Sequence, residues 1–332
     1  MAQTAAAATE PRQAGHTLWP SVLPLPGFDK GLLIGIMAPL MAASVRVAAP
    51  AKVNLHLRVY GRRGDGFHGL LSLFQAVSLC DDIVVRSLKA TDSIRIEGDF
   101  DCPPEDTTVY KAALAFRRLT GKAGGIAIEV AKAVPAGAGL GGGSSDAAAV
   151  LRALSALFDA ELGTEALARL GSEIGSDVPF FFSGGCALVS GRGEKVEAVA
   201  SRGDLAMVIH FPGFPVSSAD AYRLLDLMRP VDTHEADLSP DELRRAYFRE
   251  PAEWPFINSF APWIEAEHPA IALARKRLLD QGASFAAMTG SGSCVFGIFA
   301  DLKEAQRVAG VLRGEGERSF PAFSLARPPA LG

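Results

Sequence analysis

The segment Pro135-Ala136-Gly137-Ala138-Gly139-Leu140-Gly141-Gly142-Gly143-Ser144-Ser145-Asp146 decides the fold. Five glycines fall within the seven positions 137–143, so little side-chain bulk blocks the backbone. Residues 147–157 are mostly alanine and leucine, which favours a helix there. A glycine loop that opens a helix aims unpaired N–H groups, and the positive end of the helix dipole, at one point. A phosphate chain suits that point. The alternative is a flexible loop whose helix is capped by Ser144, Ser145 or Asp146. Clustered glycines cost stability and need a reason, which favours the phosphate.

Two common phosphate loops fit the segment poorly. Gly137-x-Gly139-x-x-Gly142 matches the dinucleotide pattern, but that loop usually opens the first βαβ unit straight from its strand. Here several strand-like segments and a helical one come first, and Pro135 separates the loop from its strand. The Walker pattern needs Gly-Lys-Ser/Thr, whereas Ser144-Ser145 follow Gly143. A loop without its own lysine must find positive charge elsewhere.

Outward from the loop, Ile126, Ile128 and Val130 alternate, predicting a strand over 125–134. Alternation also predicts a strand over 45–60, a turn over 61–66, and further extended segments over 67–77, 82–87 and 93–97. Helical spacing marks 108–119 and 164–174, the latter with Thr164 as its N-cap. Strands over 187–189 and 205–210 follow. Helices are expected over 219–228, 241–249, 270–281 and 302–313, with strands over 284–288 and 294–299. Helices grouped against an antiparallel sheet indicate an α+β class.

Four further segments offer chemical groups. Pro50-Ala51-Lys52-Val53-Asn54 puts a lysine in an apolar strand, with Lys52 and Asn54 on one face. A surface lysine on an edge strand is the ordinary alternative. Gly175-Ser176-Asp177-Val178-Pro179 precedes three phenylalanines. Asp177 is either a cap or Asx turn, or a partly desolvated base beside a lysine. Asp65-Gly66-Phe67-His68 sets a ring beside an imidazole. Phe67 is a core residue with His68 on the surface, or the two stack on and read a base. Thr289-Gly290-Ser291-Gly292-Ser293-Cys294 is a plain hairpin turn, or a second loop closing over the same substrate.

The 332 residues are 48% hydrophobic and 21% charged, enough for a core in one large domain or two ordinary ones. A net charge of −4 gives no strong positive field, so no nucleic-acid partner is expected. Cys80, Cys102, Cys186 and Cys294 form no CxxC pair and have no zinc-ligand spacing. They read as reduced thiols of a cytoplasmic protein. Residues 1–43 read as a disordered or mis-started extension, with Met37 or Met41 as the true first residue. Its apolar run over 31–43 is too short to span a bilayer and is interrupted by Pro39. No other segment is long and apolar enough, so no membrane partner is expected.

Together, segments 50–54, 135–147 and 288–297 resemble the three motifs of the GHMP kinases. Segments 51–55, 62–68, 73–75, 141–145 and 175–179 are similar, in order, to one branch of that family. That branch phosphorylates a hydroxyl of a diphosphocytidyl sugar alcohol in the non-mevalonate isoprenoid route. The resemblance implies a two-domain fold: an N-terminal α/β nucleotide-binding domain over 44–203 and a C-terminal α+β, ferredoxin-like domain over 204–328. It implies ATP on Pro135, Ala136, Gly137, Ala138, Gly139, Leu140, Gly141, Gly142, Gly143, Ser144 and Ser145, with Lys132 nearby. Mg²⁺ would bridge the phosphates, with no protein ligand identified. Asp177 would take the proton of the 2-hydroxyl, and Lys52 would steady charge on the transferred phosphate. Asn54, Phe67 and His68 would lie along the diphosphocytidyl substrate, Phe67 stacking on cytosine and His68 reading its edge. Ser218 and Tyr222 would sit on the other side of the base.

The chain departs from the family pattern in two places. Asp106-Thr107 stands where Asp-Asn is frequent, and Phe67 stands where tyrosine is common. The competing readings are a mevalonate-type or homoserine-type GHMP kinase, and a non-catalytic nucleotide-binding protein. Gly66-Phe67-His68 argues against the first, and intact Lys52 and Asp177 against the second. The expected enzyme is a monomer or homodimer.

Overall fold

Two long strands carry the first half of the molecule, β1 (Ser44–Arg62) and β2 (His68–Leu88), paired antiparallel along nearly their whole lengths. The computed structural model describes residues 43–89, 91–122, 124–228 and 237–332. The expected extension over 1–43 therefore lies outside the described residues, apart from Ala43. The sequence predicts two segments where β2 is one strand. Its edges explain the continuity: β1 lines one edge, while β4 (Gly125–Ala131) and β5 (Cys186–Gly191) share the other. β1 pairs with both apolar runs and with Cys80 and Asp81 between them, which keeps the strand continuous. β3 (Ile94–Gly98) lies parallel to β4, and β6 (Lys195–Val199) closes the opposite end.

One face of this sheet is covered by α1 (Thr108–Thr120) and α2 (Gly142–Leu157). Ala112, Phe116, Val150, Leu151 and Leu154 bury against Ile83 and Ile128 in one apolar cluster. α3 (Thr164–Ser172) begins where expected, but Gly163 is its N-cap and Thr164 its first helical residue.

The second sheet is antiparallel, in the order β10 (Arg318–Phe323), β7 (Ala206–Phe211), β9 (Val295–Phe299), β8 (Phe285–Met288). Its helices are α4 (Ser218–Met228), α5 (Pro240–Tyr247), α6 (Ala261–Glu267), α7 (Pro269–Asp280) and α8 (Leu302–Gly314). Ile271 and Leu278 of α7 and Val308 and Leu312 of α8 pack with Val208 and Val295. Met207, Ile209, Phe296 and Ile298 pack with Val53, Leu55, Leu73 and Leu188 of the first sheet. Alternate residues of β7 and β9 thus face opposite clusters, as the pleat requires. This is the α+β class expected, built on two sheets.

The chain end returns to the first sheet: Leu325 N donates to Ala76 O, and Arg46 and Gly332 exchange backbone hydrogen bonds. Among the described residues no helix is long and apolar enough to cross a membrane. All four cysteines are free thiols.

Candidate active site

The glycine loop enters its helix earlier than composition suggests. α2 begins at Gly142, five residues before the alanine-rich run, with Gly141 as N-cap at φ 69°. Ser144, Ser145 and Asp146 lie inside the helix and none caps it, so the capping alternative fails. A left-handed Gly141 turns the chain into the helix, a conformation other residues reach at a cost. The backbone N–H groups of Gly142, Gly143 and Ser144 find no protein acceptor among the described residues.

The loop carbonyls are occupied. Gly137 O accepts from Val216 N (3.1 Å), Ala138 O from Cys294 N (3.2 Å) and Leu140 O from Lys52 N (2.9 Å). The Thr289 hydroxyl lies 3.2 Å from both Gly139 O and Asn54 Oδ1. Carbonyls turned into the protein leave the donor side for a ligand. The second loop is therefore no plain hairpin turn: it backs the first. A Cβ on Gly139 would lie 2.1 Å from the Thr289 carbonyl oxygen, so no larger residue fits there.

Lys52 is buried in β1. The surface-lysine alternative fails because the glycine loop covers this edge of the strand through the Lys52–Leu140 bond. Lys52 Nζ lies 3.5 Å from Asp177 Oδ2, donates to Asn54 Oδ1 at 2.7 Å and sits 4.5 Å from the Phe74 ring centroid. Burial pushes the Lys52 ammonium below its ordinary range, and Asp177 opposes that. Asn54 is fixed in turn by Ser72 Oγ (3.0 Å) and by its own N–H to Thr289 Oγ1 (3.0 Å). Asp177 is half-buried and precedes a 3₁₀ turn, Val178–Phe182, without capping it.

Lys132 is not a free cation. Its ammonium meets Asp81 Oδ2 at 2.5 Å and Asp146 Oδ2 at 2.7 Å, both carboxylates being buried. Asp81 Oδ1 also accepts from Ala133 N (2.6 Å) and Val134 N (2.8 Å), tying β2 to the entry of the glycine loop. Burial, and the Asp81 charge, push the Asp146 carboxyl up to about 7 against the pull of Lys132. Two carboxylates sharing one ammonium out of water explain that direction.

Lys52, Asn54, Lys132, Asp146 and Asp177 line one cavity of about 620 Å³, together with Ser218, Tyr222 and the loop residues 135–144. Thr107 also lines it, but its hydroxyl caps α1, accepting from Tyr110 N and donating to Pro104 O. Ser218 Oγ lies 3.1 Å from Ser291 Oγ of the second loop. Burial, and then Asp177, raise the Tyr222 phenol. Phe67 and His68 stand at the rim and not in the lining. Phe67 is 56% exposed, with the Arg192 guanidinium 4.9 Å from its ring centroid. His68 stacks on Tyr222, centroids 5.1 Å apart. Among the described residues no cluster of three His, Cys, Asp or Glu side chains could hold a metal ion.

Residues 107–185 match the GHMP kinases N-terminal domain, and residues 249–318 match the GHMP kinases C-terminal domain. A 4-diphosphocytidyl-2-C-methyl-D-erythritol kinase of Treponema pallidum is 39% identical over 271 residues, 80% of this chain and 93% of that protein. The enzyme of the same name from Pelotomaculum thermopropionicum is 36% identical over 276 residues, 82% of this chain and 96% of that one. The chain belongs to the 4-diphosphocytidyl-2-C-methyl-D-erythritol kinases, a branch of the GHMP kinases.

A crystal structure of a kinase of that branch superposes with a TM-score of 0.74 and 36% identity, covering 84% of this chain and 99% of the other. A homoserine kinase from Cytophaga hutchinsonii, 20% identical with a TM-score of 0.66, shares the fold. As a member of the GHMP kinases, the protein is an ATP-dependent kinase. Sequence reasoning missed three residues that shape this kinase's site: Asp81, Arg192 and Asp226. They are single charged residues in surroundings that do not distinguish them, whereas Thr289 opens the second glycine loop that the sequence singles out.

Proposed function

We propose that this kinase transfers the γ-phosphoryl group of ATP to the 2-hydroxyl of 4-diphosphocytidyl-2-C-methyl-D-erythritol, in the non-mevalonate isoprenoid route. Residues 44–203 hold the nucleotide and 204–328 close the substrate cleft. The observation that carries the reading is the Lys52–Asp177 pair, 3.5 Å apart, in one cavity with a helix whose first N–H groups lack protein acceptors.

Phosphoryl transfer asks for position and charge stabilisation more than covalent help. The N–H groups of Gly142, Gly143 and Ser144 bind phosphate oxygens. The hydroxyl oxygen bonds to the γ-phosphorus as the bond to the leaving ADP oxygen breaks. Its proton passes to Asp177. Lys52 lies beside that carboxylate and stabilises negative charge on the transferred group. Asn54 holds the ammonium in place. Phe67, His68, Ser218 and Tyr222 take the diphosphocytidyl end.

A magnesium ion fits the site as a companion of ATP. It needs few protein oxygens when phosphates and water supply the rest. The Ser145 hydroxyl and Asp146 Oδ1 are buried with no partner among the described residues, and Ser144 lines the cavity. The ion would shield phosphate charge. Lys132 is already matched by two carboxylates, which leaves room for a second cation on the phosphates.

ADP release with Mg-ATP tests the reading, comparing the diphosphocytidyl substrate with mevalonate and homoserine. Turnover on the first alone is expected. Equal turnover on either of the others would overturn it.

A further inference from the structure

The rim carries a carboxylate that the phosphoryl transfer does not use. Asp226 stands one helical turn after Tyr222 on α4, so both face the same way. His68, at the start of β2, lies against both. Tyr222 covers its ring face, with an interplanar angle of 22°, and Asp226 Oδ1 lies 2.7 Å from its Nε2. Arg62 Nη2 sits 3.5 Å from the other Asp226 oxygen. The His68 side chain is only 8% exposed, so the imidazole end of that bond is shielded, while the Asp226 side chain is 37% exposed.

A carboxylate can only accept from an imidazole nitrogen when ionised, so Nε2 carries the proton. In the neutral ring Nδ1 is then the acceptor. The structure gives the ring no other hydrogen bond among the described residues. An acceptor at that position pairs with an exocyclic amine, as on C4 of cytosine. It opposes a carbonyl oxygen, as on C4 of uracil.

We propose that Asp226 is a positioning residue that fixes the His68 tautomer and thereby selects a cytidine-type over a uridine-type nucleoside diphosphate substrate. The proposal rests on the substrate reading given above. Asp226 touches neither the base nor the phosphates and acts through His68.

The test compares kcat and KM on the diphosphocytidyl substrate and its diphosphouridyl analogue, for the parent enzyme, Asp226→Ala and Asp226→Glu. The parent is expected to favour the cytidine compound by about 10² or more, since a site built around a hydrogen bond rejects the mismatched analogue strongly. Asp226→Ala should reduce that ratio by about tenfold through KM, with kcat and the KM for ATP little changed. Asp226→Glu should restore most of it. Nitrogen NMR of labelled His68 in the full-length protein should show the Nε2–H form in the parent and a mixture in Asp226→Ala. An unchanged ratio in Asp226→Ala, or an Nδ1–H form in the parent, overturns the proposal. If the parent turns over neither compound, the substrate reading fails, and the NMR result alone decides whether Asp226 sets the tautomer.

Discussion

The middle of the β1–β2 hairpin and its tip are made of the same two strands and behave differently. In the middle, Lys52, Asn54 and Ser72 are buried and linked by hydrogen bonds to one another and to Thr289. At the tip, Phe67 is 56% exposed and is held by Arg192, while His68 is held by Asp226. Buried networks in a low dielectric fix geometry, and removing one member leaves others unsatisfied. Exposed ion pairs contribute little and adapt easily. On the proposed reading, the reacting groups sit where the core locks them, and the Phe67 ring assigned to the base sits where it can move. Depth along one hairpin would then separate chemistry from selection.

Lys52→Met tests the locked end and carries the largest expected effect. Turnover should fall by about 10²–10³, as when one stabilising donor of a transition state is removed. Thermal stability should fall by only about 1–3 kcal/mol, because Asn54 Oδ1 keeps Thr289 as a partner and the Asp177 side chain left behind is 33% exposed to water. A large loss of stability with modest loss of turnover would make Lys52 a structural residue and erase the contrast.

Gly139→Ala breaks the same end through the backbone. Its Cβ would collide with the Thr289 carbonyl, and φ there is 80°. The two loops must separate, so a stability loss of about 1–3 kcal/mol is expected. Weaker ATP binding by isothermal titration should accompany it.

Phe67→Ala tests the mobile end. Loss of a base-stacking ring costs about 1–3 kcal/mol. The KM for the diphosphocytidyl substrate should rise by about 5–150-fold with kcat nearly kept. Phe67→Tyr should be close to neutral. A fall in kcat matching the rise in KM would show that the tip also sets the chemistry.

The smallest effect is in pH. Burial lowers the Lys52 pKa, so as pH rises its ammonium loses a proton sooner than an ordinary lysine at about 10.4. The cation disappears with that proton. The alkaline limb of kcat should therefore lie below that value in the parent and in Phe67→Ala alike. A limb that moved with Phe67 would assign it to the rim.

Much of this site is legible in the chain because its requirements are local. Glycines 137–143 and the lysine of 50–54 stand out as residues that a loop or an apolar strand would not otherwise carry. Other parts depend on contacts distant in sequence. Asp81 gains meaning from Lys132, and Asp226 from His68, which lies 158 positions away. β6 has only five residues, too few for its alternation of Val196 and Ala198 to stand out. β10 contains Pro321, which argues against a central strand, yet β10 is an edge strand where proline is tolerated. α6 has only seven residues, too few for a helical period to show. The early start of α2 follows from Gly141 in a left-handed conformation, which composition alone does not reveal.

The most direct measurement is single-turnover transfer of labelled γ-phosphate from ATP to 4-diphosphocytidyl-2-C-methyl-D-erythritol, run with the parent and Asp177→Asn at matched nucleotide occupancy. The account predicts a phosphorylated acceptor from the parent, and transfer slowed by about 10²–10⁴ in the variant with ATP affinity retained. Parental rates from Asp177→Asn would remove the carboxylate from proton transfer and contradict the account at its centre.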